Sequence, residues 1–147
     1  MNPIPTLDNN KYIARDYFTY ELVYSTVGGL APAATVPLTV TIDSDGDFFW
    51  TKGCVFADVA NDGTTESAKE VPNLTVLITD GTTQRNMSNV PVSVPNLFGS
   101  AQLPFILPVA KYFAGRSLIT LTVANVSDNK TYTSIRFSLH GVKAYLR

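Results

Sequence analysis

Three carboxylates at alternate positions, Asp43, Asp45 and Asp47, form the densest group in this chain that could do chemistry. Oxygen ligands at that spacing open the calcium loop of helix–loop–helix proteins, which needs Gly at the sixth position and Glu at the twelfth. Phe48 and Cys54 stand there instead. Asp43-Ser44-Asp45-Gly46-Asp47 therefore reads as a turn, where Asp and Ser side chains bond nearby backbone and Gly tolerates positive φ. His140 is the only histidine. It has the chemistry of a base or ligand, and a hydrolase built on it is one rival reading. No Gly-x-Ser-x-Gly elbow and no second His accompany it. Cys54, the only cysteine, can form neither an internal disulfide nor a Cys-based zinc site. In its apolar stretch it reads as a small core residue. We assign no catalytic, cofactor or metal residue from the sequence and expect no enzyme.

The elements around these residues follow a period of two. Leu38, Val40 and Ile42 alternate with Thr39, Thr41 and Asp43, and Ile119, Leu121 and Val123 alternate with Thr120, Thr122 and Ala124. Leu74, Val76 and Ile78 repeat the pattern, as do Ile135, Phe137 and Leu139. One set belongs on a buried face and the other on a solvated or partner-facing one. The first strand signal is Tyr12 to Thr26, followed by a Gly/Pro loop from Gly28 to Ala34. Asp80-Gly81 suits a hairpin turn between Leu74–Thr79 and Thr82–Met87. Residues 88–115 hold Pro91, Pro95, Pro104 and Pro108, which predicts short edge strands and crossings, with a helical turn near Val109–Phe113. Ser117 to Leu146 reads as one long hairpin. About eight strands with turns every ten residues or so predict an all-β, two-sheet antiparallel sandwich of jelly-roll type.

The 147 residues fit one domain, carry 45% apolar and 16% charged residues, and have a net charge of −1. Scattered basic residues at that charge give no phosphate-tracking stripe, so no nucleic-acid partner is expected. No apolar run reaches the roughly 18 residues that span a bilayer, so no membrane partner is expected. Residues 1–10 lack a basic and an apolar signal region. With Pro3 and Pro5 they read as an extended arm, ahead of one sandwich domain over 11–147. A free arm would expose Ile4 and Leu7. The triplet Phe48-Phe49-Trp50 cannot all point one way, so at least one member is expected to face outward or toward a partner. Leu103-Pro104-Phe105-Ile106-Leu107-Pro108 is very apolar for a loop. Ile4, Leu7, Phe49, Trp50, Pro104 and Phe105 are accordingly the partner-binding candidates.

Five segments together resemble a known family. They are Asn10 to Phe18, Thr41 to Phe48, Leu103 to Pro108, Leu121 to Asn125, and Leu139-His140-Gly141-Val142-Lys143-Ala144-Tyr145. The set is similar to small virion proteins of tailed bacteriophages, most of all to jelly-roll cement (decoration) proteins. The resemblance implies a jelly roll on the capsid exterior of a virion, made in the bacterial host cytoplasm. It implies the major capsid protein of the same virion as partner, with self-association as a dimer or trimer. Its motifs are structural and carry no catalytic residues. The alternative is a β-sandwich module of a phage neck, fibre or tail that binds a receptor or carbohydrate.

Overall fold

Strand-forming residues build nine strands among the described residues, and Gly, Pro, Asp and Ser separate them. The computed structural model describes residues 11–59 and 72–146. Strand β1 runs Tyr12–Leu30, β2 Thr35–Thr41, β3 Gly46–Val59, β4 Leu74–Asp80 and β5 Arg85–Asn86. Strand β6 is Val92–Ser93, β7 Phe105–Phe113, β8 Leu118–Asn125 and β9 Tyr132–Leu146. A single 3-10 turn, Val94–Asn96, is the one helical element among the described residues. The expected arm at residues 1–10, with Ile4 and Leu7, lies outside the described residues.

The strands form two antiparallel sheets, β1-β9-β3-β7 and β2-β8-β4-β5, with β6 also on β4. Along the chain, β1 pairs with β9, β2 with β8, β3 with β7, and β4 with β5 and β6. These pairs are nested, as in one long hairpin folded over and rolled up. That order is a jelly roll, and the sandwich expected from turn spacing is the fold observed.

The period-two rows meet between the sheets. Ile42, Ile78, Ile119, Leu121, Val123, Ile135, Phe137 and Leu139 are all buried. Val40 is only half-buried, because β2 is an edge strand. Rings fill the centre: Phe98 stacks on Trp50 at 5.7 Å and meets Phe137 edge-on at 4.9 Å. Gly53 makes room for this stack, since a Cβ there would lie 2.8 Å from the Phe98 ring.

Three local expectations are corrected. Residues 117–146 do not make a hairpin: β8 and β9 lie in different sheets. The buried Asn125 amide turns the chain across, donating to the carbonyls of Leu30 (2.9 Å) and Lys130 (2.7 Å). Its oxygen accepts from the Ser127 amide and hydroxyl. Residues 109–113 are not a helical turn but part of β7, held by Ala110 and Phe113 in buried positions. Pro108 fits there because the register jumps from Trp50–Lys111 to Lys52–Ile106, leaving residues 107–110 without partners in β3. A proline at such a bulge costs no ladder bond. Finally, Gly28 and Gly29 do not end β1. They take positive φ of 89° and 69° inside it, where the register with β9 shifts between Ser25 and Leu30. A Cβ on Gly29 would lie 2.7 Å from the Tyr132 carbonyl oxygen.

Candidate protein-binding faces

The carboxylates singled out by spacing are consumed in structural contacts. Gly46 starts β3 directly after the turn at Ser44–Asp45. Asp43 and Asp45 both bind the buried Lys143 ammonium, at 2.8 and 3.0 Å. Burial works against the charge on Lys143, yet the two carboxylates hold its pKa above the ordinary lysine value. Lys143 in turn draws the Asp43 pKa below the usual carboxylate range. The same ammonium sits over the Phe18 ring, 4.5 Å from its centre.

Asp47 points the other way, to the outer face of the β1-β9-β3-β7 sheet. Its carboxylate accepts from the hydroxyls of Tyr12 (2.6 Å) and Tyr112 (3.0 Å) and from the Gly115 amide (2.8 Å). Lys11 closes the cluster at 3.1 Å. Burial alone would raise the Asp47 pKa, but these donors outweigh it and hold the pKa low. Burial, and then the bond to Asp47, push the Tyr12 hydroxyl up to about 12. The cluster ties the start of β1 to β3 and β7.

This tie explains the aromatic triplet. Phe48 and Trp50 point into the sandwich and are fully buried. Phe49 points outward, as alternation requires, but Tyr12 and Tyr112 roof it at 6.4 and 5.3 Å. It is 5% exposed. One of the three thus faces outward, as expected, and the chain's own tyrosines cover it. Trp50 donates its indole N–H to the Lys52 carbonyl at 2.6 Å. Pro104 and Phe105 are half-buried, and Phe105 packs on the core. Leu103 and Ile106 of that segment are exposed, as is Val109 just beyond it.

His140 also lies on the outer face of the β1-β9-β3-β7 sheet, opposite Thr19 and Lys52. Its Nδ1 is 2.7 Å from the Tyr17 hydroxyl and 2.9 Å from that of Thr19. Those two hydroxyls are 3.0 Å apart. Burial pushes the imidazole pKa down, Lys52 adds to this, and Glu21 opposes it. Side chains from β1 and β9 make this trio, so their separation in sequence hid it. No acid completes a relay to His140 among the described residues.

The second sheet presents a different outer face. Thr39, Thr120 and Thr79 share one cross-strand row, Pro37, Thr122 and Leu77 the next, and Thr35, Ala124 and Thr75 a third. No charged side chain stands in these rows. The period-two pattern marked Thr39, Thr75, Leu77, Thr79, Thr120, Thr122 and Ala124 as solvated or partner-facing, but it did not show that three strands align them. A polar groove of about 570 Å³ opens at one end of the sandwich, between Asn73, Ser93, Ser127, Asp128, Lys130 and Tyr132. No helix among the described residues is long and apolar enough to cross a membrane. Comparison with protein-family models, curated proteins and solved structures finds no match to this chain.

Proposed function

We propose that this chain is a non-enzymatic virion protein that binds and stabilises an assembled bacteriophage capsid from outside. The observation that carries the non-enzymatic part is where the reactive groups are spent. Asp43, Asp45, Asp47 and Lys143 bind one another, Lys11 or tyrosine hydroxyls, and no described strand or helix covers the outer face of either sheet. Broad sheet faces suit docking on other subunits better than turnover. The capsid as partner rests on the resemblance of the five segments, and jelly rolls recur in capsid proteins. A protein that binds only the assembled shell stabilises assembly by mass action, and many copies multiply a modest free energy per copy. The major capsid protein is the proposed partner.

The test removes the protein from virions, challenges them with heat or chelator, and adds it back. Stripped particles should lose DNA earlier, and readdition should restore retention. Equal retention without the protein would refute the capsid-stabilising role. Counting copies per purified virion decides location: hundreds fit a decoration protein, whereas a few to tens fit a neck, fibre or tail module.

A further inference from the structure

Strand β1, 19 residues, is the longest of the described strands and forms one edge of its sheet among them. It pairs with β9 on one side, and no described strand pairs with its other side. Natural proteins usually block such an edge with proline, a short strand or inward charges, because its free N–H and C=O groups template another strand. Within β1 there is no proline. Tyr17 is 71% and Val23 44% exposed. Three charged side chains, Arg15, Asp16 and Glu21, mark the strand between them. Arg15 makes no ion pair among the described residues, and Glu21 meets only Arg136, at 3.6 Å, and Ser138.

We propose that β1 pairs antiparallel with β1 of a second copy, about a two-fold axis at Phe18, joining the two β1-β9-β3-β7 sheets into one. The charges select this register. Arg15, Tyr17, Thr19, Glu21 and Val23 all lie on the outer face, since they oppose Ala144, Val142, His140, Ser138 and Arg136 of β9. Directly opposed residues in an antiparallel sheet share a face. An axis between two residues would set outward side chains against inward ones. Axes at Arg15, Asp16 or Glu21 oppose like charges. The axis at Phe18 sets Arg15 against Glu21 of the second copy, twice by symmetry, and Tyr17 against Thr19. No other axis on a β1 residue opposes Arg15 to an acid. The interface is isologous, as a two-fold dimer requires. It holds whatever surface the dimer then binds.

Sedimentation of the full chain over a concentration series tests it. The wild-type protein should dimerise. Glu21→Arg and Arg15→Glu should each weaken the dimer at least about tenfold, because like charges then face each other. The double swap R15E/E21R should recover most of that loss. In a Cys54→Ser background, Phe18→Cys should oxidise to a disulfide-linked dimer, since opposed Cα atoms at the axis fall within disulfide reach. Ser25→Cys, far from the axis, should not. A wild-type protein monomeric up to about millimolar, single reversals without effect, a double swap as weak as the singles, or equal cross-linking at position 25 would each overturn the register. The cysteine pair decides the matter should a charge variant fail to fold.

Discussion

The two outer faces of this sandwich are built on opposite terms. The β1-β9-β3-β7 face carries Asp47, Lys11, Glu21, Arg136, Lys52 and His140, most of them engaged with neighbours from other strands. The β2-β8-β4 face carries threonines, a proline and small apolar residues in registered rows, and no charge. The first face uses its polar groups to hold strands together. Among the described residues, the hydroxyls of the second face's three rows make no side-chain bond, apart from Thr79, which donates to Asn86. Tyrosines and carboxylates concentrated on one face thus mark strand anchoring, and a face free of charge marks a surface that costs little to desolvate.

The largest effect should come from Asp47. Asp47→Ala strips a buried acceptor from Tyr12, Tyr112 and the Gly115 amide at once. Breaking a buried network of this kind costs about 3–5 kcal/mol. Denaturant melts should show such a loss, together with exposure of Phe49 as the tyrosine roof loosens. A loss below about 1 kcal/mol would mean the anchoring face is no more integrated than the threonine face.

Acid should act on Asp47 as well, and on Asp43 beside Lys143. The folded-state pKa values of Asp43 and Asp47 lie below their unfolded value, so the unfolded chain binds protons first as pH falls. Their contribution is present in full above the ordinary carboxylate pKa near 4 and is lost as pH drops through the folded values. Thermal melts between about pH 5 and pH 2 should fall steeply for the wild type. Asp47→Asn should flatten that fall. An unchanged slope would remove Asp47 from the acid response.

His140 should give a smaller signal in a different window. Its folded pKa is depressed below the ordinary histidine value of about 6.5, chiefly by burial. The unfolded chain therefore takes up the proton first as pH falls below that value. Stability should decline as pH drops from about 7 to 5, and level off only below the folded pKa. His140→Gln should abolish that shallow slope and leave the acid limb due to the aspartates. A slope that survives the substitution would assign it elsewhere.

The contrast between faces was only half legible in the chain. Alternation around Ile119, Leu121 and Val123 depends on one strand's own pleat, so parity alone placed those residues inside. Sheet membership does not follow from parity. The turn at Ser127–Lys130 looks like a hairpin turn in sequence, yet the Asn125 amide carries the chain to the other sheet. The fate of Phe49 was equally hidden, because its cover comes from Tyr12 and Tyr112, 37 and 63 positions away, anchored by an aspartate read only as a turn residue. The Tyr17, Thr19 and His140 cluster failed to register for the same reason. Long-range pairing brings these groups together, and single-strand periodicity carries no record of it.

The smallest expected effect on stability lies on the threonine face. Thr120 sits mid-row between Thr39 and Thr79 and makes no side-chain bond with either. Thr120→Val keeps the branched shape that suits a strand and removes only the hydroxyl, so the melting free energy should move by no more than about 0.5 kcal/mol. Thr120→Arg should also fold, since its long side chain can extend into solvent from an outward position. The two variants separate fold from docking. If this face meets another subunit, Thr120→Arg places an unpaired charge in a neutral contact and should weaken capsid binding at least about tenfold, while Thr120→Val leaves it near the wild-type value. Binding undiminished by the arginine would move the docking surface to the anchoring face, where the exposed Ile106 of edge strand β7, opposite Lys52, is the next position to charge.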